Sequence, residues 1–85
     1  KNMNKVFILV KILEYKYNFS INKKQNAICK IKCRLLNGSL INLQANNSQA
    51  DKCLRIIQKE KTYMVYGYLN SNMEVIIEDI EKLFY

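Results

Sequence analysis

Residues 39–69 read SLINLQANNSQADKCLRIIQKEKTYMVYGYL, and three local patterns follow one another within them. From Ser39 to Ala45 the apolar Ile41, Leu43 and Ala45 alternate with Leu40, Asn42 and Gln44, the period of two that a half-buried strand requires. Asn46-Asn47-Ser48 interrupts the alternation, and Ser48 with Asp51 three residues on has the form of a capping box. Ala50, Cys53, Leu54 and Ile57 then fall at i, i+3, i+4 and i+7, one apolar stripe of a short helix, with Lys52, Arg55 and Lys59 off the stripe. Thr62 to Leu69 returns to β-branched and aromatic residues. Strand, short helix, strand is the order this stretch predicts.

The same reading extends in both directions. Upstream, Ala27, Cys29, Ile31, Cys33 and Leu35 alternate with Ile28, Lys30, Lys32, Arg34 and Leu36, which puts the first set in a core and three cations in a row outside. Asn37-Gly38 is a two-residue hairpin signal between this strand and the next. Val6 to Ile21 is a longer strand. Val6, Ile8, Val10 and Ile12 form one face and Phe7, Leu9 and Leu13 populate the other, so the second face is either a subunit contact or the mark of a bulge that shifts the alternation. Beyond Leu13 the pattern becomes Tyr15, Tyr17, Phe19 and Ile21 against Lys16, Asn18 and Ser20, and Asn22-Lys23-Lys24-Gln25 is the turn. Downstream, Asn70-Ser71-Asn72 is a tight turn before a last strand. The expectation is one domain over residues 1–85, with strands at about 5–21, 26–37, 39–45, 62–69 and 73–83 and a helix at about 48–59. A helix between the third and fourth strands of a five-stranded all-β chain is the signature of the OB-fold, a Greek-key barrel whose usual ligands are oligonucleotides and oligosaccharides.

Composition narrows the class. A hydrophobic share of 49% in 85 residues supports one packed core. No apolar run approaches the roughly 18 residues of a membrane span, and no signal-peptide cleavage pattern follows Val6–Val10. A soluble, intracellular protein is expected. Lys, Asn and Ile, whose codons are AT-rich, dominate, which points to a plastid or other AT-rich organelle, or else to a low-GC bacterial cytoplasm. The net charge of +7 is uneven: residues 1–61 hold every cation but Lys82, whereas Glu74, Glu78, Asp79 and Glu81 fall in the last strand. A one-sided basic surface attracts polyanions. A solvated charged face is the ordinary alternative.

Four stretches carry a family resemblance. Asn4-Lys5-Val6-Phe7-Ile8-Leu9-Val10-Lys11-Ile12-Leu13 resembles the opening N-x-V-x-L-V-G-R-L of the single-stranded DNA-binding protein family, which includes primosomal replication protein N. Asn26-Ala27-Ile28-Cys29-Lys30-Ile31-Lys32-Cys33 resembles its T-A-V-A-N-F-R-L strand. Residues 56–69 resemble Y-L-x-K-G-x-x-V-x-V-x-G-x-L, and Glu74-Val75-Ile76-Ile77-Glu78-Asp79-Ile80 resembles E-V-V-V-E-E-V. Short loops and AT-rich composition further resemble plastid-encoded members found in algae. The resemblance implies an OB-fold, single-stranded DNA as partner, a role in DNA replication and a homodimer or higher homo-oligomer formed through the first strand. The departures also matter. The family wraps DNA on aromatic residues of two long loops and of the third strand; here Asn37-Gly38 and Asn70-Ser71-Asn72 stand in place of the loops, and Leu40 and Asn46 at the strand positions. The family's disordered acidic tail has no counterpart before Tyr85. Each lost base stack removes about 1–3 kcal/mol.

The residues expected to bind nucleic acid are Lys23, Lys24, Lys30, Lys32 and Arg34, tracking the phosphates, with Asn42 and Gln44 hydrogen bonding beside them and Tyr17 and Phe19 stacking on bases. Tyr15, Tyr66 and Tyr68 are more readily placed in the barrel wall or a subunit interface. If about five phosphates are neutralised, the single-strand salt slope is roughly −3 to −4. Cys29 and Cys33 lie about 13 Å apart along a strand, too far to share a zinc, and with Cys53 they read as core thiols. The chain has no His, no Gly-rich phosphate loop and no H-E-x-x-H pattern, so no catalysis, no metal and no cofactor are expected. The function expected is non-catalytic, sequence-nonspecific binding of single-stranded DNA. The alternatives are a protein-interaction module for a replication or nucleoid partner that has lost its stacking aromatics, and RNA binding.

Overall fold

The computed structural model describes residues 4–20 and 26–83. The elements are β1 (Asn4–Ser20), β2 (Asn26–Leu35), β3 (Leu40–Asn46), α1 (Ser48–Ile56), β4 (Thr62–Leu69) and β5 (Val75–Lys82). They form a closed barrel in the order β1-β2-β3-β5-β4. The turn at residues 22–25, with Lys23 and Lys24, lies outside the described residues.

The length of β1 allows closure. Its first half pairs with β4, from Asn4 opposite Leu69 to Lys11 opposite Thr62, and its second half with β2, from Val10 opposite Leu35 to Ser20 opposite Asn26. A bulge at Leu13, between Ile12 and Glu14, bends the strand between these two halves. It also exchanges the parity of the inner face: Val10 and Ile12 are buried before it, and Tyr15 and Tyr17 pack against the core after it. The expected bulge in β1 is observed, while Phe7 and Leu9, which precede it, still face outward. Parallel pairing of Leu43 with Val75 and Gln44 with Ile76 closes the barrel.

Strands β2 and β3 bury the residues their alternation assigned: Ala27, Cys29, Ile31 and Cys33 on one, Leu43 and Ala45 on the other. Their connection differs. Leu35 N–H donates to the Ser39 carbonyl at 2.8 Å and Gly38 N–H to the Leu35 carbonyl at 2.9 Å, so the loop is the three residues Leu36-Asn37-Gly38. Gly38 takes φ +92°, the left-handed position that ends such a three-residue loop.

Two expectations for the helix are corrected. It ends at Ile56, because Ile57 is already extended, although Ile57 is still buried against the barrel. Of the stripe, Ala50 and Cys53 face the core, whereas Leu54 is 47% exposed. No capping box forms either. The N-cap is Asn47, at φ 53°, with no side-chain cap bond; its Oδ1 accepts from Ala27 N–H at 3.2 Å and ties the helix start to β2. Asp51 instead accepts a hydrogen bond from the Tyr17 hydroxyl at 2.7 Å.

At the other end of the helix the fully buried Tyr63 donates to the Ile56 carbonyl at 2.7 Å and accepts from Gln58 N–H at 2.8 Å. One hydroxyl thereby satisfies two backbone groups where the helix leaves the barrel mouth.

Candidate nucleic-acid interface

The outer faces of β1, β2 and β3 form a groove of about 570 Å³. Register decides its contents. Glu14 lies opposite Lys32 and Lys32 opposite Asn42; two residues along, Lys16 lies opposite Lys30 and Lys30 opposite Gln44. Leu43 pairs with Val75, so Glu74 stands beside Asn42 at the groove's margin, and Lys59 enters from the segment after the helix.

Ion pairing concentrates the charge here. Lys5 pairs with Glu78, Lys11 with Glu60, and Lys52 with Asp79 and Glu81. The Lys52 hydrogen bond lowers the pKa of the Asp79 carboxyl, while Asp79 raises that of the Lys52 ammonium. The acids of β5 are therefore neutralised largely by cations outside the groove. Within it, Lys32 has a 3.5 Å contact to Glu14, and among the described residues Lys16, Lys30 and Lys59 have no ion pair. Lys16 and Lys30 oppose each other directly, an arrangement that destabilises a sheet by about 0.2–1 kcal/mol relative to a neutral pair.

The groove brings together three of the residues assigned from sequence: Lys30, Lys32 and Asn42. Gln44 lies on the same outer face and donates to Asn46 Oδ1 at 3.0 Å. Arg34 shares the face, but its guanidinium donates to the Gly38 carbonyl at 2.9 Å and braces the β2–β3 loop. Tyr17 and Phe19 are elsewhere. They lie opposite Cys29 and Ala27, on the inner side of the sheet. The Asp51 hydrogen bond, then burial, raises the Tyr17 phenol pKa. Phe19 is 53% exposed at the end of β1, outside the groove. The bulge at Leu13 had set this parity. Glu14, Lys16, Lys59 and Glu74 were not assigned from sequence; the alternation of Lys16 with Tyr15 and Tyr17 was the available signal for one of them.

Of the exposed aromatic side chains among the described residues, Phe7, Phe19 and Tyr66, none lines the groove; the half-buried Tyr15 does. Phe7 and Tyr66 pair across β1 and β4 with ring centroids 4.7 Å apart. The thiols are inert in this setting: burial pushes Cys33 and Cys53 up to about 12 and raises Cys29.

No protein-family model and no curated protein sequence matches the chain. Among solved structures, the SSB domain of a Synechococcus sp. protein superimposes with a TM-score of 0.83 at 11% identity, over 95% of this chain and 97% of that one. The fold is an OB-fold. At this identity the likeness concerns the path of the backbone, which is shared along nearly the full length.

Proposed function

We propose that this OB-fold binds single-stranded nucleic acid, most readily DNA, without catalysis, by laying the phosphate backbone along the groove of β1, β2 and β3. The observation that carries the reading is the facing pair Lys16 and Lys30, beside Lys32 and Lys59. Two ammonium groups held opposite each other cost the sheet stability, and a bound phosphate between them turns that repulsion into attraction. The likeness to an SSB domain supports the same class of ligand. Among the described residues the half-buried Tyr15 is the one aromatic that lines the groove, so backbone contacts rather than a run of stacked bases supply most of the affinity.

The test is fluorescence anisotropy of a labelled oligo-dT of about 30 nucleotides, several times an OB-fold's site size. Four groove lysines neutralising phosphates give a salt slope of about −3. A slope near zero with measurable binding removes the electrostatic mechanism. No binding at low salt by folded protein turns the barrel over to the protein-interaction reading.

The apolar outer band of Phe7, Leu9, Met64 and Tyr66 supports pairing with a second copy around the barrel from the groove. Sedimentation velocity is expected to give a dimer that Phe7→Glu converts to monomer; a monomeric unaltered protein ends that proposal.

A further inference from the structure

The groove is not uniformly basic, and the arrangement of its charges carries information about the ligand. This inference rests on the single-strand reading above. One row across the sheet holds Lys16, Lys30 and Gln44; the next holds Glu14, Lys32, Asn42 and, by the parallel pairing of β3 with β5, Glu74. The rows are two residues apart along each strand, about 7 Å. The first carries two cations and no anion. The second sets two carboxylates and an amide around one ammonium.

A carboxylate in a polyanion groove repels phosphate, so a strand lying across these rows places its phosphates on Lys16, Lys30 and Lys32 and turns its bases toward Glu14 and Glu74. There Glu14 and Glu74 can only accept, while Asn42 offers both a donor and an acceptor. Glu14 has one oxygen 3.5 Å from Lys32 and keeps lone pairs free. Glu74 is fixed at its position by Asn70, whose Oδ1 accepts from Glu74 N–H at 2.9 Å and whose amide nitrogen lies 3.5 Å from Glu74 Oε1. Carboxylates accept hydrogen bonds from exocyclic amines such as cytosine N4; thymine offers carbonyl oxygens at the corresponding position.

We infer that Glu14 and Glu74 make the groove selective for amine-bearing bases, so that cytosine-containing single strands bind more tightly than thymine-containing ones. Both are pyrimidines with similar stacking surface, so the comparison isolates the hydrogen-bonding edge.

The experiment measures oligo-dC and oligo-dT of equal length by anisotropy at one salt concentration. A mildly alkaline pH keeps cytosine unprotonated and the oligo-dC single-stranded. The unaltered protein is expected to favour oligo-dC about fivefold or more. Glu14→Ala and Glu74→Ala are measured separately, and each is expected to bring the ratio toward one. Removing a negative charge strengthens binding to both oligonucleotides alike, and that common gain cancels in the ratio. Equal affinities, tighter oligo-dT, or a preference that survives both substitutions overturns the selectivity while leaving single-strand binding intact. Binding to neither oligonucleotide fails the single-strand reading itself, and the selectivity with it.

Discussion

Replacing Gly67 by alanine is expected to destabilise the barrel by about 3 kcal/mol or more, a large share of the roughly 4–13 kcal/mol that holds a domain of this length together. Gly67 is buried on β4 between Val65 and Leu69, and a Cβ there would overlap the Ile76 carbonyl oxygen of β5. The obstacle is backbone, which cannot rotate aside as a side-chain tip would. It arises from a register shift: Tyr66 lies opposite Asp79 but Gly67 opposite Ile77, so β5 carries an extra residue and its backbone presses toward β4. The same shift moves burial on β5 from Val75 and Ile77 to Ile80. Chemical denaturation of Gly67→Ala against the unaltered protein measures the effect. An unchanged midpoint would mean that β4 and β5 do not approach this closely at Gly67.

Reversing Lys16, Lys30 and Lys32 to glutamate is expected to weaken single-strand binding by several hundredfold at low salt. At 50 mM salt each phosphate contact releases counterions worth ~1.2 kcal/mol, so three contacts amount to ~3.7 kcal/mol, and the new repulsion adds to this. The single variants separate the groove from net charge. Lys30→Glu and Lys5→Glu change the total equally, yet only the first removes a groove cation; Lys5 pairs with Glu78 on another part of the barrel. Lys5→Glu is expected to bind within about twofold of the unaltered protein, since exposed pairs of this kind contribute little. Lys16→Glu gives the sharpest contrast. It turns a facing like-charge pair into an ion pair with Lys30, so it is expected to gain about 0.5 kcal/mol of stability while losing affinity. Equal affinity losses for Lys5→Glu and Lys30→Glu would show that overall charge, not the groove, holds the ligand.

Much of the barrel was legible because it is written in local pattern. The alternation of β2 placed Cys29, Ile31 and Cys33 inside and Lys30, Lys32 and Arg34 outside, and the structure has them so. The helix between β3 and β4 was readable from its stripe, apart from Leu54, which is exposed, and its end, which comes at Ile56. The assignments that moved are those that depend on distant partners. Tyr17 and Phe19 sit on the inner side because of the bulge at Leu13, and Asp51 serves Tyr17 from 34 residues away rather than capping its own helix. Arg34 has the expected face, yet its guanidinium is engaged by the turn beside it.

The sequence by itself determined the order of the elements, the inner and outer faces of each regular strand and the excess of positive charge. These follow from the two-residue period of a strand and the 3.6-residue period of a helix, which a chain displays without knowing its neighbours. Only the tertiary structure decided which outward side chains share a groove. Glu14 and Lys16 on β1, Lys59 after the helix and Glu74 before β5 come from three separate parts of the chain, and the bulge in β1, the pairing of β2 with its neighbours and the parallel closure of β3 on β5 bring them together. Register across strands is set by bulges and loop lengths, and a shift of one residue moves every side chain to the other face.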